Sequence, residues 1–311
     1  KVRTKKYFAN NTYVEGRNFD YHATGGQILK GRLIVIAAFI GLQVLLTAVP
    51  VLGLIVVIGL LVAWPWLIVR SMQFNARMTS FSNVRFGFDG SIGRAFAVFL
   101  LYPVLMALTI YTTFPIWDRT VKRFSVDNHR LGRARFAMDA GLWPFYKALL
   151  LALGWVVFVA VVSAVGLGIN LADFVAAMEN AETAPVQSMT IIGLFYLLFF
   201  VAFLPAAFLY RALIRNTVYN STTLEGGHSF ASTVSATRLL WIALSNMAVV
   251  VCTLFLMLPW AQVRLARYLA ANTALITSAS LDDFVSVQQA QGSAMGDAYT
   301  DLEGISVGLP V

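Results

Sequence analysis

Three histidines, His22, His129 and His228, fall one in each of three similar polar stretches of this 311-residue chain. Gathered by pseudo-symmetry they would make a metal or proton-transfer site, since zinc takes three or four ligands converging at short range. Neither a His-Glu-x-x-His nor a Cys-x-x-Cys pattern accompanies them, so they are assigned to turns and surfaces, and no cofactor is expected. The one cysteine, Cys252, lies in an apolar run and reads as a small buried hydrophobe. No nucleophile elbow, Walker loop or dinucleotide fingerprint follows a strand, and Gly25-Gly26 and Gly226-Gly227 read as turns. The expectation is therefore not an enzyme. The remaining chemistry is basic: Arg119, Lys122, Arg123, Arg133 and Arg135 form a cluster suited to anionic lipid headgroups.

The elements that carry these residues are set by the bilayer. The chain is 59% hydrophobic and 12% charged, with a mean hydropathy of +0.73. Soluble domains run about 45–50% apolar and about 25% charged, so an α-helical polytopic membrane protein is expected. All 23 Lys and Arg lie within 1–32, 70–94, 119–147, 211–238 and 264–267, separated by long uncharged segments. Charge placed this way marks loops flanking membrane helices and puts them in the cytoplasm. The net charge of +8 is thus membrane-related, and no nucleic acid partner is expected. The uncharged runs hold no Asp, Glu, Lys, Arg or His, only Gln43, Asn170, Asn246 and scattered hydroxyls. Ion-coupled carriers place ionisable groups in their spans, which disfavours a proton-coupled transporter. Asn246, beside Ser245, reads as a partner for broken backbone in a bent helix.

In chain order, about six hydrophobic segments emerge: four full spans and two short broken or re-entrant ones. Residues 33–69 divide at Val49-Pro50-Val51-Leu52-Gly53 into two helices, and 145–168 and 188–210 are single spans. The runs 95–117 and 239–260 are long enough to cross, yet crossing would carry the basic stretch after 118 to the other side. The charge rule favours re-entrant hairpins, bent near Thr109 and Thr253, each six residues before a proline. The loop between Asn170 and Ser188 is acidic without basic residues and belongs outside the cytoplasm; Leu171 to Met178 reads as an interfacial helical turn. The membrane domain is read as 1–276, with polar elements at 1–32, 70–94, 118–144, 211–238 and 261–276. Residues 277–311 form an acidic tail, read as solvated unless Leu302, Ile305 and Leu309 pack on the basic layer.

The polar elements repeat. Arg264, Arg267, Tyr268, Asn272 and Thr273 reproduce the spacing of Arg3, Lys6, Tyr7, Asn11 and Thr12. Val14-Glu15-Gly16 reads as a turn into a strand with Phe19 and Tyr21, hence a short β-hairpin. Asn83 takes the place of Gly16, because Asn is the next-best residue at positive φ. Pro259-Trp260, Arg264, Arg267-Tyr268 and Asn272-Thr273, with Arg3, Lys6-Tyr7, Asn11-Thr12, Gly16, Phe19, Tyr21 and Thr24-Gly25-Gly26, resemble the YjgN-like family of bacterial inner-membrane proteins. Of the family's Thr-Leu-Gly break before Pro-Trp, only Thr109 and Thr253 are matched here. The resemblance implies a bacterial inner-membrane location and a further hydrophobic segment before Lys1. It brings no activity or catalytic residues, and it implies a membrane protease as one candidate partner. Two functions remain open. One is an accessory or scaffold subunit docking a protein partner, or a second copy, through its cytoplasmic hairpin layer. The alternative is a transporter or lipid-handling protein with a cavity lined by broken helices.

Overall fold

The computed structural model describes residues 2–166, 168, 171–180, 182–183, 185–278 and 280–290. Helix α1 (Val2–Asn10) leads into β1 (Tyr13–Val14) and β2 (Arg17–Tyr21). Helices α2 (Gly25–Ala48) and α3 (Pro50–Arg77) follow, then β3 (Thr79–Phe81) and β4 (Val84–Phe88). Next come α4 (Ile92–Phe96), a π-turn (Ala97–Leu101), α5 (Tyr102–Leu108), α6 (Phe114–Asp127), β5 (His129–Leu131) and β6 (Ala134–Met138). The second half holds α7 (Trp143–Val161), a π-turn (Val162–Gly166), α8 (Leu171–Glu179), α9 (Pro185–Asn220), β7 (Thr222–Leu224), β8 (His228–Ser232), α10 (Ala236–Cys252), α11 (Leu258–Ala271) and β9 (Thr273–Ile276). A last helix, α12, occupies 281–290.

The nine strands form one sheet in the order β1 to β9. Sheet neighbours are chain neighbours, so every helical excursion leaves one strand and returns at the next. Three helices among the described residues are long and apolar enough to cross a membrane: Val51–Arg77, Trp143–Gly166 and Pro185–Asn220. Ile36–Ala48, Ile92–Leu108 and Ala236–Cys252 are shorter apolar helices. Four full spans were expected from the uncharged runs. The fourth expected span falls in α2, of which Ile36–Ala48 is counted among the shorter apolar helices of the described residues.

The chain divides into two compact units. Unit 1 comprises 1–139, 222–229 and 275–311; unit 2 comprises 140–221 and 230–274. In unit 1 each hairpin is made by its turn. Glu15 (φ 50°) and Gly16 (φ 76°), and Ser82 (φ 48°) and Asn83 (φ 68°), put two successive residues in the left-handed region. That is the I′ geometry whose twist matches a two-residue hairpin, and Asn83 occupies the position of Gly16 as its sequence position indicates. Asn83→Val is expected to destabilise unit 1 by about 1–2 kcal/mol, the cost of a branched side chain at positive φ. Asn83→Gly should stay within about 0.5 kcal/mol of the native chain, and thermal melts in detergent separate the two.

One face of these hairpins packs inward. Phe19 and Phe81 sit 4.8 Å apart, Phe19 and Phe86 6.3 Å, and Phe86 and Phe136 6.4 Å. This aromatic ladder supplies the packing face that isolated hairpins lack. Near the helices the same face continues as a core of Val69, Ala76, Phe88, Ala95, Val98 and Phe124. At the turn end it is covered by α12, whose Leu281 and Val285 are buried. Asp282 pairs with Arg17, and Phe284 lies edge-on to His228 at 4.8 Å. Gln288 accepts from the Arg133 amide (2.8 Å), and Gln289 donates to the Ser82 carbonyl (2.7 Å). A single helix thus touches all four hairpins. Over 281–290 the expected solvated tail is instead a packed helix, while Leu302, Ile305 and Leu309 lie outside the described residues.

In unit 2, Trp155 Nε1 donates to the Val201 carbonyl (3.1 Å), tying α7 to α9, and Phe174 stacks on Phe195 at 4.3 Å, tying α8 to α9. Asn216 acts as a surrogate strand: its Oδ1 accepts from Ser232 Oγ and the Val234 amide, and its Nδ2 donates to the Val234 carbonyl. The helical stretch expected from Leu171 to Met178 is the nine-residue helix α8, Leu171–Glu179. Asn170 lies outside the described residues. Cys252 is exposed, not buried, because it sits at the end of α10 where the chain reverses.

Candidate functional site

The repeated residues are helix terminators. Helices end with unsatisfied carbonyls, and here the same pair of side chains answers them each time. Asn11 donates to the Tyr7 carbonyl (2.8 Å) and Thr12 to Phe8 (2.7 Å). Asn272 donates to Tyr268 (2.8 Å) and Thr273 to Leu269 (2.7 Å). Asn128 and His129 do the same toward Phe124 and Ser125. So Asn11, Thr12, Gly16, Asn272 and Thr273 build helix ends and turns. Tyr268 binds the Ser235 amide through its hydroxyl (2.8 Å), whereas Arg3, Lys6, Tyr7 and Arg267 are exposed. On α1 it is Lys5, not Lys6, that reaches inward, to Asn75 Oδ1 (2.7 Å) and over the Tyr21 ring (5.1 Å). Burial pushes the Tyr21 phenol above its ordinary pKa.

The five basic residues of the third element divide into two groups. Arg119, Lys122 and Arg123 lie on α6, where Lys122 is 3.8 Å from Asp118 and Arg123 is 3.1 Å from Asp127. Such i,i+4 pairs contribute about 0.3–0.5 kcal/mol each. Arg133 is in the β5–β6 turn and Arg135 on β6, and both side chains are exposed. Arg135 stands directly opposite Arg130 in the register, and Arg85 is exposed on adjacent β4. Like charges opposed on a sheet repel. Arg130 is relieved by Asp89 (3.0 Å) and by donating to the Gly132 carbonyl (2.7 Å). Gly87 makes that possible, since a Cβ there would come within 2.7 Å of Arg130 Nε. The outward sheet face therefore carries a row of arginines on three neighbouring strands.

The three histidines are not gathered. His22 bonds Ser80 Oγ (2.8 Å), His129 the Ser125 carbonyl, and His228 is buried against Phe284. No group of three or more His, Cys, Asp or Glu positioned for a metal occurs among the described residues.

One further feature recurs, once in each unit. Thr109 and Thr253 each donate a hydroxyl to the carbonyl four residues back (2.9 and 2.7 Å). The next two residues, Ile110–Tyr111 and Leu254–Phe255, all have positive φ. The second amide of each pair reaches back five residues, Tyr111 to Met106 (2.8 Å) and Phe255 to Val250 (2.7 Å). Helices α6 and α11 then start with a proline in their first turn. These are the same reversal built twice, and within each the turn amides are bonded internally. Both tips are apolar and open, with Ile110 85%, Leu254 82% and Leu256 82% exposed. Below the first tip, Trp117 Nε1 donates to the Val98 carbonyl (2.9 Å) in the π-turn. That wide turn precedes Pro103, whose ring would otherwise clash with the carbonyl four residues before it. Below the second tip, Asn246 donates to the Ala261 carbonyl (3.0 Å), the role its sequence position indicates.

The repeats, terminators and bends extend along the chain, and so does its match to known sequences. Residues 1–302 match the family described as "Bacterial protein of unknown function (DUF898)". The chain belongs to this family. It is 26% identical over 314 residues to "Inner membrane protein YjgN" of Salmonella typhimurium strain LT2, covering 88% of this chain and 79% of that protein. It is 29% identical over 114 residues to the protein of the same name in Escherichia coli O157:H7, which spans 36% of this chain and 29% of that relative. The K12 strain gives the same values. No solved structure matches. The YjgN resemblance seen in the sequence is thus established, and the relatives' names and the span-length helices support an inner-membrane location for this family member.

Proposed function

We propose that the chain is a non-catalytic, multi-pass accessory protein of the inner membrane whose hairpin layer faces the cytoplasm and docks an acidic protein partner. The observation that carries this is the outward row of Arg85, Arg130 and Arg135 on adjacent strands, with Arg77 and Arg133 also exposed near it in sequence. Asp89 and Glu225 answer only part of that charge, Glu225 through the Arg135 backbone amide (3.0 Å). The inward face is filled by the phenylalanine ladder and α12, so the outward face is the one left for recognition. Charge complementarity of this kind sets specificity and encounter rate. In this reading Ile92–Asp127 and Ala236–Ala271 are re-entrant hairpins that keep the layer on one side.

Native mass spectrometry after gentle extraction tests the docking role. The native chain should carry one stoichiometric protein partner, and Arg85→Glu/Arg135→Glu should lower its occupancy at least tenfold at unchanged melting temperature. A partner retained equally by the double variant, or none with the native chain, ends the scaffold reading. Lipid handling along the bent helices is the second reading, and the paired apolar tips favour it.

A further inference from the structure

Arg264 lies on α11 in the second bent hairpin, and its surroundings are built rather than incidental. Its Nη1 donates to Ser245 Oγ (2.7 Å) and Asn246 Oδ1 (3.0 Å) on the facing helix. Both acceptors are themselves fixed, Ser245 by donating to the Trp241 carbonyl (2.6 Å) and Asn246 by donating to the Ala261 carbonyl (3.0 Å). The guanidinium lies 5.3 Å from the centre of the Trp260 ring. A guanidinium has five N–H donors in a rigid plane. Two are used here, leaving Nε and Nη2 without a protein acceptor among the described residues.

No carboxylate forms an ion pair with Arg264 among the described residues. Residues 230–274 contain no Asp or Glu, and the acids of unit 2 are confined to Asp173, Glu179 and Glu182 beside α8. Six cations, Lys147, Arg211, Arg215, Arg238, Arg264 and Arg267, share the unit with those three. Depth makes the imbalance sharper at Arg264. Its partners Ser245 and Asn246 lie seven and eight residues along α10 from Arg238, about 10 Å toward the apolar tip at 1.5 Å per residue. A cation at that depth is costly unless it is paired. The Trp260 ring against it is 41% exposed, and on α10 Trp241, whose carbonyl accepts from Ser245, is 59% and Leu244, next to Ser245 in the chain, 38% exposed.

We propose that Arg264, held by Ser245 and Asn246, binds the phosphate of an anionic phospholipid. The oriented Nε and Nη2 edge takes the phosphate oxygens, and the exposed Trp241, Leu244 and Trp260 line the acyl chains. A planar fork matches phosphate bidentately where a lysine supplies only a point charge. The exposed aromatic wall selects a lipid over a free phosphate ion, which has no use for it. This site is independent of the docking row on the outward sheet face.

The test uses the full chain in detergent, with thermal melting and native mass spectrometry. Titrating phosphatidylglycerol should raise the melting temperature and show one retained lipid per chain, and phosphatidylcholine should do neither. Arg264→Gln should lower lipid occupancy at least tenfold, Arg264→Lys should be intermediate, and Arg238→Gln should match the native chain. Should Arg264→Gln fail to fold, Arg264→Lys together with Ser245→Ala carries the comparison, each expected to weaken retention severalfold. Equal retention by the native chain and the Arg264 variants overturns the site, as does an equal loss in Arg238→Gln, which would make the attraction diffuse. Stabilisation by inorganic phosphate without retained phosphatidylglycerol overturns the lipid assignment.

Discussion

Val285→Asp is expected to strip α12 from unit 1. Val285 is 0% exposed, so a carboxylate there must either be buried unpaired or leave with its helix. Burying an unpaired charge costs several kcal/mol. Undocking gives up the burial of Leu281 and Val285, about 1.5–3 kcal/mol for each large apolar side chain. It also breaks the bonds from Gln288 and Gln289 to two hairpins. Short isolated helices are marginal alone in water, so the released segment 281–290 should unfold. Hydrogen exchange reads this directly: protection of 281–290 should fall by one to two orders of magnitude, about 1.4–2.8 kcal/mol at 1.4 kcal/mol per tenfold. The turns at Ser82–Asn83 and Gly226–Gly227 should exchange faster as well. Val287 is 50% exposed on the same helix, so Val287→Asp serves as the control and should change protection little. Asp282→Asn removes only an exposed ion pair with Arg17 and should cost less than about 1 kcal/mol. Full protection of 281–290 in Val285→Asp would mean that α12 is not held by its buried face.

That helix shows where the sequence is legible and where it is not. Leu281, Phe284, Val285 and Gln288 stand at i, i+3, i+4 and i+7, the spacing of a one-faced helix. The signal was present. The acidic, base-free composition of 277–311 overrode it, because a short helix with a narrow apolar stripe becomes stable only once a docking face exists. By contrast, Asn83 and Gly16 were readable because positive φ is a local demand that few residue types meet. The bends at Thr109 and Thr253 were readable through their shared distance to a proline. In the sequence Arg264 shows only as a repeat of Arg3, and its hydrogen bonds to α10 exist only in the tertiary fold. Lys5 and Asp118 gave no signal, since a charged residue beside others of its kind looks the same whether it points inward or outward.

The placement of the hairpins has a second large, all-or-none consequence. Cysteines introduced singly at Asn18, Ser91, Ser125 and Ser229, in a Cys252→Ala background, should all react with an impermeant maleimide from the same face of sealed membranes. Asn18 and Ser91 are exposed, and Ser125 and Ser229 are half-buried. The physical reason is pairing. Phe86 is opposite Leu131 and Phe88 opposite His129, so the excursion through α4, α5 and α6 begins and ends on one ladder. An open sheet edge does not sit in hydrocarbon, where each unpaired backbone group costs several kcal/mol. In the proposed topology the ladder lies on one side, and Ile92–Asp127 enters and leaves by that side. Its reversal suits such a course: Ile110, Tyr111, Thr112 and Phe114 all donate their amides within the turn, and the tip side chains are apolar. A cysteine at Asn180, just after α8 in the acidic connection, should react only from the other face. Labelling of Ser125 from the face opposite Ser91 would require α4 to α6 to cross the bilayer, and with it the loss of the β4–β5 pairing.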